Sequence, residues 1–540
     1  MKCRIEDGVV YSPFPSCEIP RCSFYTMVKE WLAKTPSKRA LVDDAITLTR
    51  HELFQRLQRY GAGFQEHGIV PGDRICIHLS NCVENFVSMF GCIMAGATVI
   101  LAKTTLTARE LHYQMQDGDA THVLTDTAYV EKVLAASSTL QLKGIFVMGD
   151  APGFVSALKF KGCSEKNFKE VEIPDPENSV LGITYTSGTT GLPKGVEITH
   201  YSYVGNVYTS GPCMSSDDTD IVLGNFPITH ASGLMISMGV VLLGGVCVVT
   251  SPFLSPEEIC DTVNKHKITS MFLFTSRLQA LVQTMRRTGN RLSSMRRIGV
   301  GGSPLSAELF EEALSVFEGA ECLMNMYGLS ESCSVICSPS IRGVKHVDMG
   351  FPGVMTEMRI VDVNTREKLG PNKVGELEFR NPCVMRGYYK KPEATAAFKD
   401  QDGWCHSGDL AYYDEDGRFY FVERIKEMIK CMDNQVVPAE LEGLLMASHE
   451  GIDDVAVIGL PHPVYGEAPA AVVILNEQSK VGGQVTAEGI QKIIADTCAP
   501  HKHLSGGVFF ADSLPRTETG KIMRKALVDQ YSRLACSRVP

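Results

Sequence analysis

Thr186-Ser-Gly-Thr-Thr-Gly-Leu-Pro-Lys-Gly195 follows an apolar stretch, Val180 to Tyr185, that reads as a strand. Its three glycines let backbone N–H groups come close to an anion. Four hydroxyls add donors and Lys194 adds positive charge, so Thr186, Ser187, Gly188, Thr189, Thr190, Gly191 and Lys194 can wrap a polyphosphate. The spacing matches neither G-x4-G-K-[ST] nor G-x-G-x-x-G. A flexible surface loop is the competing reading, which the density of hydroxyls and glycines disfavours.

On the N-terminal side of this segment, helical and strand signals alternate, as in a mostly parallel sheet covered by helices, so the expected fold class is α/β. Val83, Phe86, Val87, Phe90 and Met94 recur at helical spacing, and Gly96 ends that helix before the apolar strand Thr98 to Leu101. Pro71-Gly72-Asp73 is a turn leading into a strand, Arg74 to Leu79. Past residue 340 the texture becomes short strands between turns (Met358 to Val363, Gly375 to Arg380, Arg418 to Val422), which predicts a β-rich, barrel-like subdomain. A charged stretch, Glu423 to Lys430, precedes a helix signal over Pro438 to Ser448. The expected organisation is therefore a large N-terminal domain over residues 1–422, a hinge over 423–426, and a small, mobile α+β C-terminal domain over 427–540, of usual domain size.

At 540 residues the chain exceeds what one core organises, and 44% hydrophobic with 21% charged residues is ordinary for a folded protein. A net charge of −10 argues against nucleic acid or an anionic membrane as a general partner. The 18 cysteines show no C-x-x-C pair and read as reduced, mostly buried thiols. Ala231 to Pro256 carries no charge over a length that could span a membrane. Gly244-Gly245 divides it into a helix-like piece, Gly233 to Leu243, and a β-branched run, Val246 to Thr250, so no transmembrane segment is expected. Methionines and phenylalanines of the apolar helices read as core. The N-terminus resembles no presequence and Ser-Arg-Val-Pro540 is not a peroxisomal tripeptide, so a cytoplasmic location is expected over a peroxisomal one.

Further motifs stand in order along the chain: Gly301-Gly-Ser-Pro-Leu305, Tyr327-Gly-Leu-Ser-Glu331, Gly375-Glu-Leu, Met385-Arg-Gly-Tyr-Tyr389, Gly403-Trp-Cys-His-Ser-Gly-Asp409, Glu423-Arg-Ile-Lys-Glu-Met-Ile-Lys430 and Thr519-Gly-Lys521. With the Thr186 segment, this set resembles the adenylate-forming superfamily of acyl-CoA synthetases, 4-coumarate-CoA ligases, beetle luciferases and peptide-synthetase adenylation domains. The resemblance covers nearly the whole chain and implies activation of a small carboxylic acid by ATP with Mg2+, then transfer to coenzyme A. The pattern is nearest to 4-coumarate-CoA ligase-like and medium-chain acyl-CoA ligases.

Each role that follows is implied by the resemblance. Glu331 would ligate Mg2+, a task suited to a carboxylate oxygen. Tyr327 would lie against the adenine, Gly302 and Gly328 would take part in binding the nucleotide, and Ser330, where relatives usually have Thr, would stand near the α-phosphate. Asp409 would accept the ribose hydroxyls, and Arg424 would touch ribose or phosphate. His230 would stand beside the bound carboxylate, in an acyl pocket to which Gly301 to Pro304 and Asn325 to Gly328 also contribute. Lys521 would reach the carboxylate and α-phosphate during adenylation, where a point charge stabilises the anionic transition state. Lys430 and Gln435 would face the site after the small domain swings about Lys426 for thioester formation.

Two positions depart from the pattern. Asp433 stands where relatives have glycine, adding bulk and charge beside the expected pantetheine channel. His462 replaces a commonly acidic residue, and nothing in the sequence explains it. The motifs leave two alternatives: an adenylating enzyme with a non-CoA acceptor or luciferase-like chemistry, and an inactive nucleotide- or acyl-binding relative. G-x-S-x-G and H-E-x-x-H are absent, so a serine hydrolase or zinc protease has no support. The identity of the acid and the oligomeric state are not legible.

Overall fold

The computed structural model describes residues 1–186, 192–214, 217–302, 305–333, 335–338, 345–432, 434–482, 485–517 and 520–536. Among these, the strands form four sheets. The first runs Lys194–Thr199, Val180–Thr186, Thr98–Leu101, Arg74–His78, His122–Asp126, Gly144–Met148, Val155–Ser156 and is parallel except at its first pair. Parallel neighbours need crossover connections, which helices Val83–Met94 and Ala108–Asp117 supply. Covered on both faces, such strands become continuously apolar: Ile75, Cys76 and Ile77 are all fully buried. Helix Val83–Met94 is buried along its whole length, and Gly96 takes φ +95° just beyond it, as expected of a glycine stop. Gly91 permits the tight crossing with helix Arg50–Glu66, since a Cβ there would run into the Tyr60 side chain.

The second sheet is larger. Its path is Phe351–Pro352, Val335–Ser338, Cys322–Gly328, Arg297–Gly301, Ser270–Phe274, Ile221–Gly224, Val246–Val249, Arg39–Val42, Thr47–Thr49, with Lys345–His346 on the side of Cys322–Gly328. The uncharged stretch beyond residue 230 folds as expected, into helix Ala231–Leu242 and strand Val246–Val249, with Gly244 at φ +114° between them. No helix of the described residues is long and apolar enough to cross a membrane. Arg297, at the start of its strand, is fully buried with Asp220 and reaches Asp217 at 2.8 Å.

The β-rich section is the third sheet, six antiparallel strands: Arg4–Glu6, Val9–Tyr11, Glu357–Val361, Gly375–Arg380, Cys405–Tyr413, Phe419–Arg424. The expected barrel-like curvature takes the form of an open sheet, whose path does not return on itself among the described residues. Its first two strands come from the chain's N-terminus, which the sequence reading left unassigned.

The fourth sheet contains Asn434–Val436, Ile429–Cys431, Gly466–Leu475, Ile452–His462 and Gly507–Phe510, packed with helices Pro438–Ser448, Ala487–Thr497 and Arg524–Cys536. Alternation along Ile452–His462 sends Val455 and Val457 to one apolar cluster, and Ala456 and Ile458 to another. Both clusters consist of residues from 429 onward.

Candidate active site

Strands Ser270–Phe274, Arg297–Gly301 and Cys322–Gly328 are parallel neighbours, so their C-terminal ends open on the same side of the sheet. Ligands of open α/β sheets collect at such an edge. A cavity of ≈ 260 Å³ lies there, bordered by Gly302, Tyr327, Gly328, Asp409, Arg424 and Lys521 together with Thr275, Ser276 and Glu427. The third sheet brings in Asp409 and Arg424, which are antiparallel partners across strands Cys405–Tyr413 and Phe419–Arg424. Asp409 is fully buried. The Tyr327 hydroxyl donates to its Oδ2 at 2.6 Å, and Arg424 Nε stands 3.1 Å from its Oδ1. That last contact is a charge pair without hydrogen-bond alignment, and Asp409 Oδ1 accepts no hydrogen bond among the described residues. Burial pushes the Asp409 carboxyl above the usual range, with Arg424 and the Tyr327 hydroxyl opposing.

Lys521 arrives from the fourth sheet's side of the molecule. Gly520 precedes it at φ +76° and approaches helix Thr275–Thr288 so closely that a Cβ would overlap Ser276. Only glycine meets both conditions without strain. Lys521 Nζ lies 3.0 Å from Glu427 Oε1. Burial raises the Glu427 carboxyl, yet Lys521 and Arg524 together hold it below the ordinary value.

A second cavity, ≈ 250 Å³, shares Gly302, Met326, Tyr327 and Gly328 with the first. Its other walls are chiefly apolar, from helices His200–Met214 and Ala231–Leu242 and from Phe272 and Phe274. His230 and Ser330 border it. His230 caps helix Ala231–Leu242, its Nδ1 accepting the Ser232 N–H at 3.2 Å and lying 2.7 Å from Ser232 Oγ. Nδ1 is thus an acceptor, and the neutral ring carries its proton on Nε2. Burial, with Lys103 adding to it, lowers the His230 pKa to about 3. Met235, buried in the main hydrophobic core as expected of the apolar-helix methionines, also lines this cavity.

Glu331 and Lys194 meet through a residue whose role the sequence did not reveal. Tyr388 donates its hydroxyl to Glu331 Oε1 at 2.8 Å, while Lys194 Nζ sits 4.9 Å from the centre of the Tyr388 ring. The Met385-Arg-Gly-Tyr-Tyr389 motif was the available signal. Thr186 and Lys194 are cross-strand partners at the ends of Val180–Thr186 and Lys194–Thr199. Ser187, Gly188, Thr189, Thr190 and Gly191 lie outside the described residues, as do Ser303, Pro304 and Asp433. Lys430 and Gln435 are exposed cross-strand partners that border neither cavity, and Lys426 is exposed beside Arg424 and Lys194. Glu427 was likewise not singled out, although it stands in the charged stretch after residue 422.

A polar cavity bordered by a buried carboxylate and sharing a wall with an apolar one is an arrangement suited to an enzyme acting on small molecules. Comparison with known families gives this class its name: residues 28–389 match the AMP-binding enzyme family and residues 440–521 its C-terminal domain, and the chain belongs to that family. It is 30% identical to luciferin 4-monooxygenase of Nipponoluciola cruciata, covering 97% of each chain. Against 4-coumarate–CoA ligase 3 of Oryza sativa subsp. japonica the identity is 31%, over 93% of this chain and 91% of the relative. The structure also resembles o-succinylbenzoate CoA synthetase of Bacillus subtilis in complex with its acyl-adenylate, with a TM-score of 0.78 and 25% identity over 93% of this chain and 97% of that one.

Proposed function

We propose that this protein is an ATP-dependent carboxylate–CoA ligase, which forms an acyl-adenylate with release of pyrophosphate and then an acyl-CoA thioester with release of AMP. The observation that carries this reading is the wall common to the two cavities: Gly302, Tyr327 and Gly328 border both, so a nucleotide in the polar one and the carboxylate of an acid in the apolar one would meet there.

In this reading the Asp409 oxygen that lacks a hydrogen bond accepts from the ribose, Tyr327 and Gly328 lie against the adenine, and Gly302 borders the nucleotide. Arg424, Lys194, Ser330 and the segment from Thr186 to Gly191 serve ribose and phosphates. Glu331 has one oxygen engaged by Tyr388 and lone pairs to spare, a donor set that fits Mg2+, which would neutralise triphosphate charge when bound. An oxygen of the carboxylate attacks the α-phosphorus while the bond to pyrophosphate breaks. Lys521 offsets the anionic charge there, with His230 beside the acid, and no protein nucleophile is needed. The thiol of coenzyme A then attacks the acyl carbon and AMP departs.

The exposure of Lys430 and Gln435 supports a division into residues 1–422, a hinge at 423–426 containing Lys426, and a small unit over 427–540 that turns to bring both residues to the site. Acid-dependent exchange of labelled pyrophosphate into ATP tests the first step, and CoA consumption tests the second. The likeness to luciferin 4-monooxygenase supports one other reading, an adenylating enzyme with a different acceptor. Exchange without CoA consumption would select it, and no exchange with any acid would leave a binding protein.

A further inference from the structure

Helix Ala231–Leu242 contains two interior glycines whose surroundings differ completely. A Cβ on Gly233 would collide with the backbone carbonyl of Pro227, so packing requires glycine there. Gly239 has no such neighbour: a Cβ would meet nothing within 4 Å, and its φ is not in the positive region. Yet Gly239 is buried. Glycine inside a helix is disfavoured relative to alanine, and neither strain nor close approach explains this one. The space beside it is the apolar cavity, which it lines.

Ala231, Met235, Gly239 and Leu243 all border that cavity at a spacing of four residues and form one stripe along the helix. Twelve residues of helix rise about 18 Å, so the stripe sets the length of a slot. The slot starts at His230 and the wall shared with the nucleotide cavity, and Leu243 borders its far end, where a Cβ on Gly211 would stand 3.0 Å from Leu243 Cδ2. Neither a lysine or arginine nor an aspartate or glutamate borders it among the described residues.

We infer that Gly239 is the residue that fixes substrate length, leaving passage for the tail of an unbranched apolar monocarboxylic acid that extends past it toward Leu243. This rests on the proposed adenylation reading. An acid short enough to stop before Gly239 leaves the lower slot empty, and one with a second carboxylate at its far end would bury a charge with no partner.

The experiment measures acid-dependent pyrophosphate release for hexanoate, dodecanoate, hexadecanoate and the α,ω-dicarboxylates of the same lengths, with the parent and with Gly239→Ala and Gly239→Leu. The parent is expected to prefer the longer monocarboxylates over their dicarboxylates by at least tenfold in kcat/KM. Gly239→Leu should lower kcat/KM for hexadecanoate at least tenfold and change hexanoate less than twofold. Gly239→Ala should raise the melting temperature, because the new methyl enters open space on a helix, and should move the length preference in the same direction by a smaller factor. A length profile unchanged in both variants, a loss equal at every length, or a dicarboxylate used as well as its monocarboxylate would overturn the inference. No release with any of these acids in the parent would instead overturn the adenylation reading. If Gly239→Leu does not fold, the length profile of Gly239→Ala decides.

Discussion

Lys521 and Glu427 form an ion pair of 3.0 Å at the wall of the polar cavity, so the amine proposed to meet the triphosphate is already neutralised by a carboxylate. On the proposed function, a nucleotide entering that space would compete with Glu427 for the amine. Lys521→Ala is expected to lower pyrophosphate exchange by about 10²–10³, the usual effect of removing one group that stabilises a developing charge. Lys430→Ala, at an exposed position, should leave exchange unaltered and slow only CoA thioester formation. Glu427→Gln should tighten ATP binding by about fivefold, corresponding to the ~1 kcal/mol typical of a partly exposed pair. Calorimetric titration measures this, and an unchanged constant would mean that pair and nucleotide do not compete.

Tyr327→Phe removes the hydroxyl that satisfies one oxygen of the fully buried Asp409. An unsatisfied buried acceptor costs about 1–3 kcal/mol, more when charged, and the variant should lose that much stability in denaturant unfolding. Asp409→Asn in the same background should recover part of it, since a neutral amide is cheaper to bury than an unpaired carboxylate. Equal stability of Tyr327→Phe and the parent would count against the buried pair.

Three histidines are held neutral by burial: His78 and His200 are lowered to about 4 and His230 to about 3, from an ordinary value of 6.5. Between those values and 6.5 the unfolded chain binds protons that the folded chain refuses. Their contribution is therefore fully present above pH 6.5 and is lost as the pH falls toward 4. Glu197, Glu423, Glu442 and Asp409, raised by burial, act with the opposite sign, so comparison with a variant isolates the histidine. The fall in melting temperature from pH 7 to pH 5 should be smaller in His200→Gln than in the parent; an equal fall would show that His200 does not contribute.

Arg297→Met should be among the most damaging substitutions away from the cavities. It leaves Asp220, as buried as Arg297 itself, without the guanidinium that neutralises it, and Asp217 loses a contact of 2.8 Å. Breaking a buried pair from one side costs about 3–5 kcal/mol. Replacing Asp220 by Asn and Arg297 by Met together should cost less than the sum of the single changes, which a double-mutant cycle would read directly.

The parts of this fold that announce themselves in sequence are those whose causes are local. Helix Val83–Met94 shows as a periodic apolar run with a glycine stop, and helix Pro438–Ser448 as a proline-led apolar turn. Short strands such as Gly375–Arg380 are framed by their turns. The polar cavity was legible because its residues lie in compact motifs: Gly302, Tyr327, Gly328, Asp409, Arg424 and Lys521 do converge. What could not be read depends on distant partners. Nothing around Glu427 tells that its charge meets Lys521, and the stripe from Ala231 to Leu243 looks like core because a helix facing an apolar cavity and one facing apolar side chains have the same pattern. Met235, which reads as core and is core, borders the cavity as well for that reason.

Strands Arg4–Glu6 and Val9–Tyr11 complete the sheet that carries Asp409, and Val9 finds its register opposite Arg359. During synthesis, about 350 residues must emerge before that partner exists, which at 5–20 residues per second is roughly 20–70 s. Throughout this interval the amino-terminal hairpin has no sheet to join, and its unpaired edge is open to other chains. The sheet that carries Asp409 therefore joins residues 4–11 to a partner strand made about 350 residues later, and folding yield in cells, rather than chemistry, is where changes to residues 4–11 should be felt first.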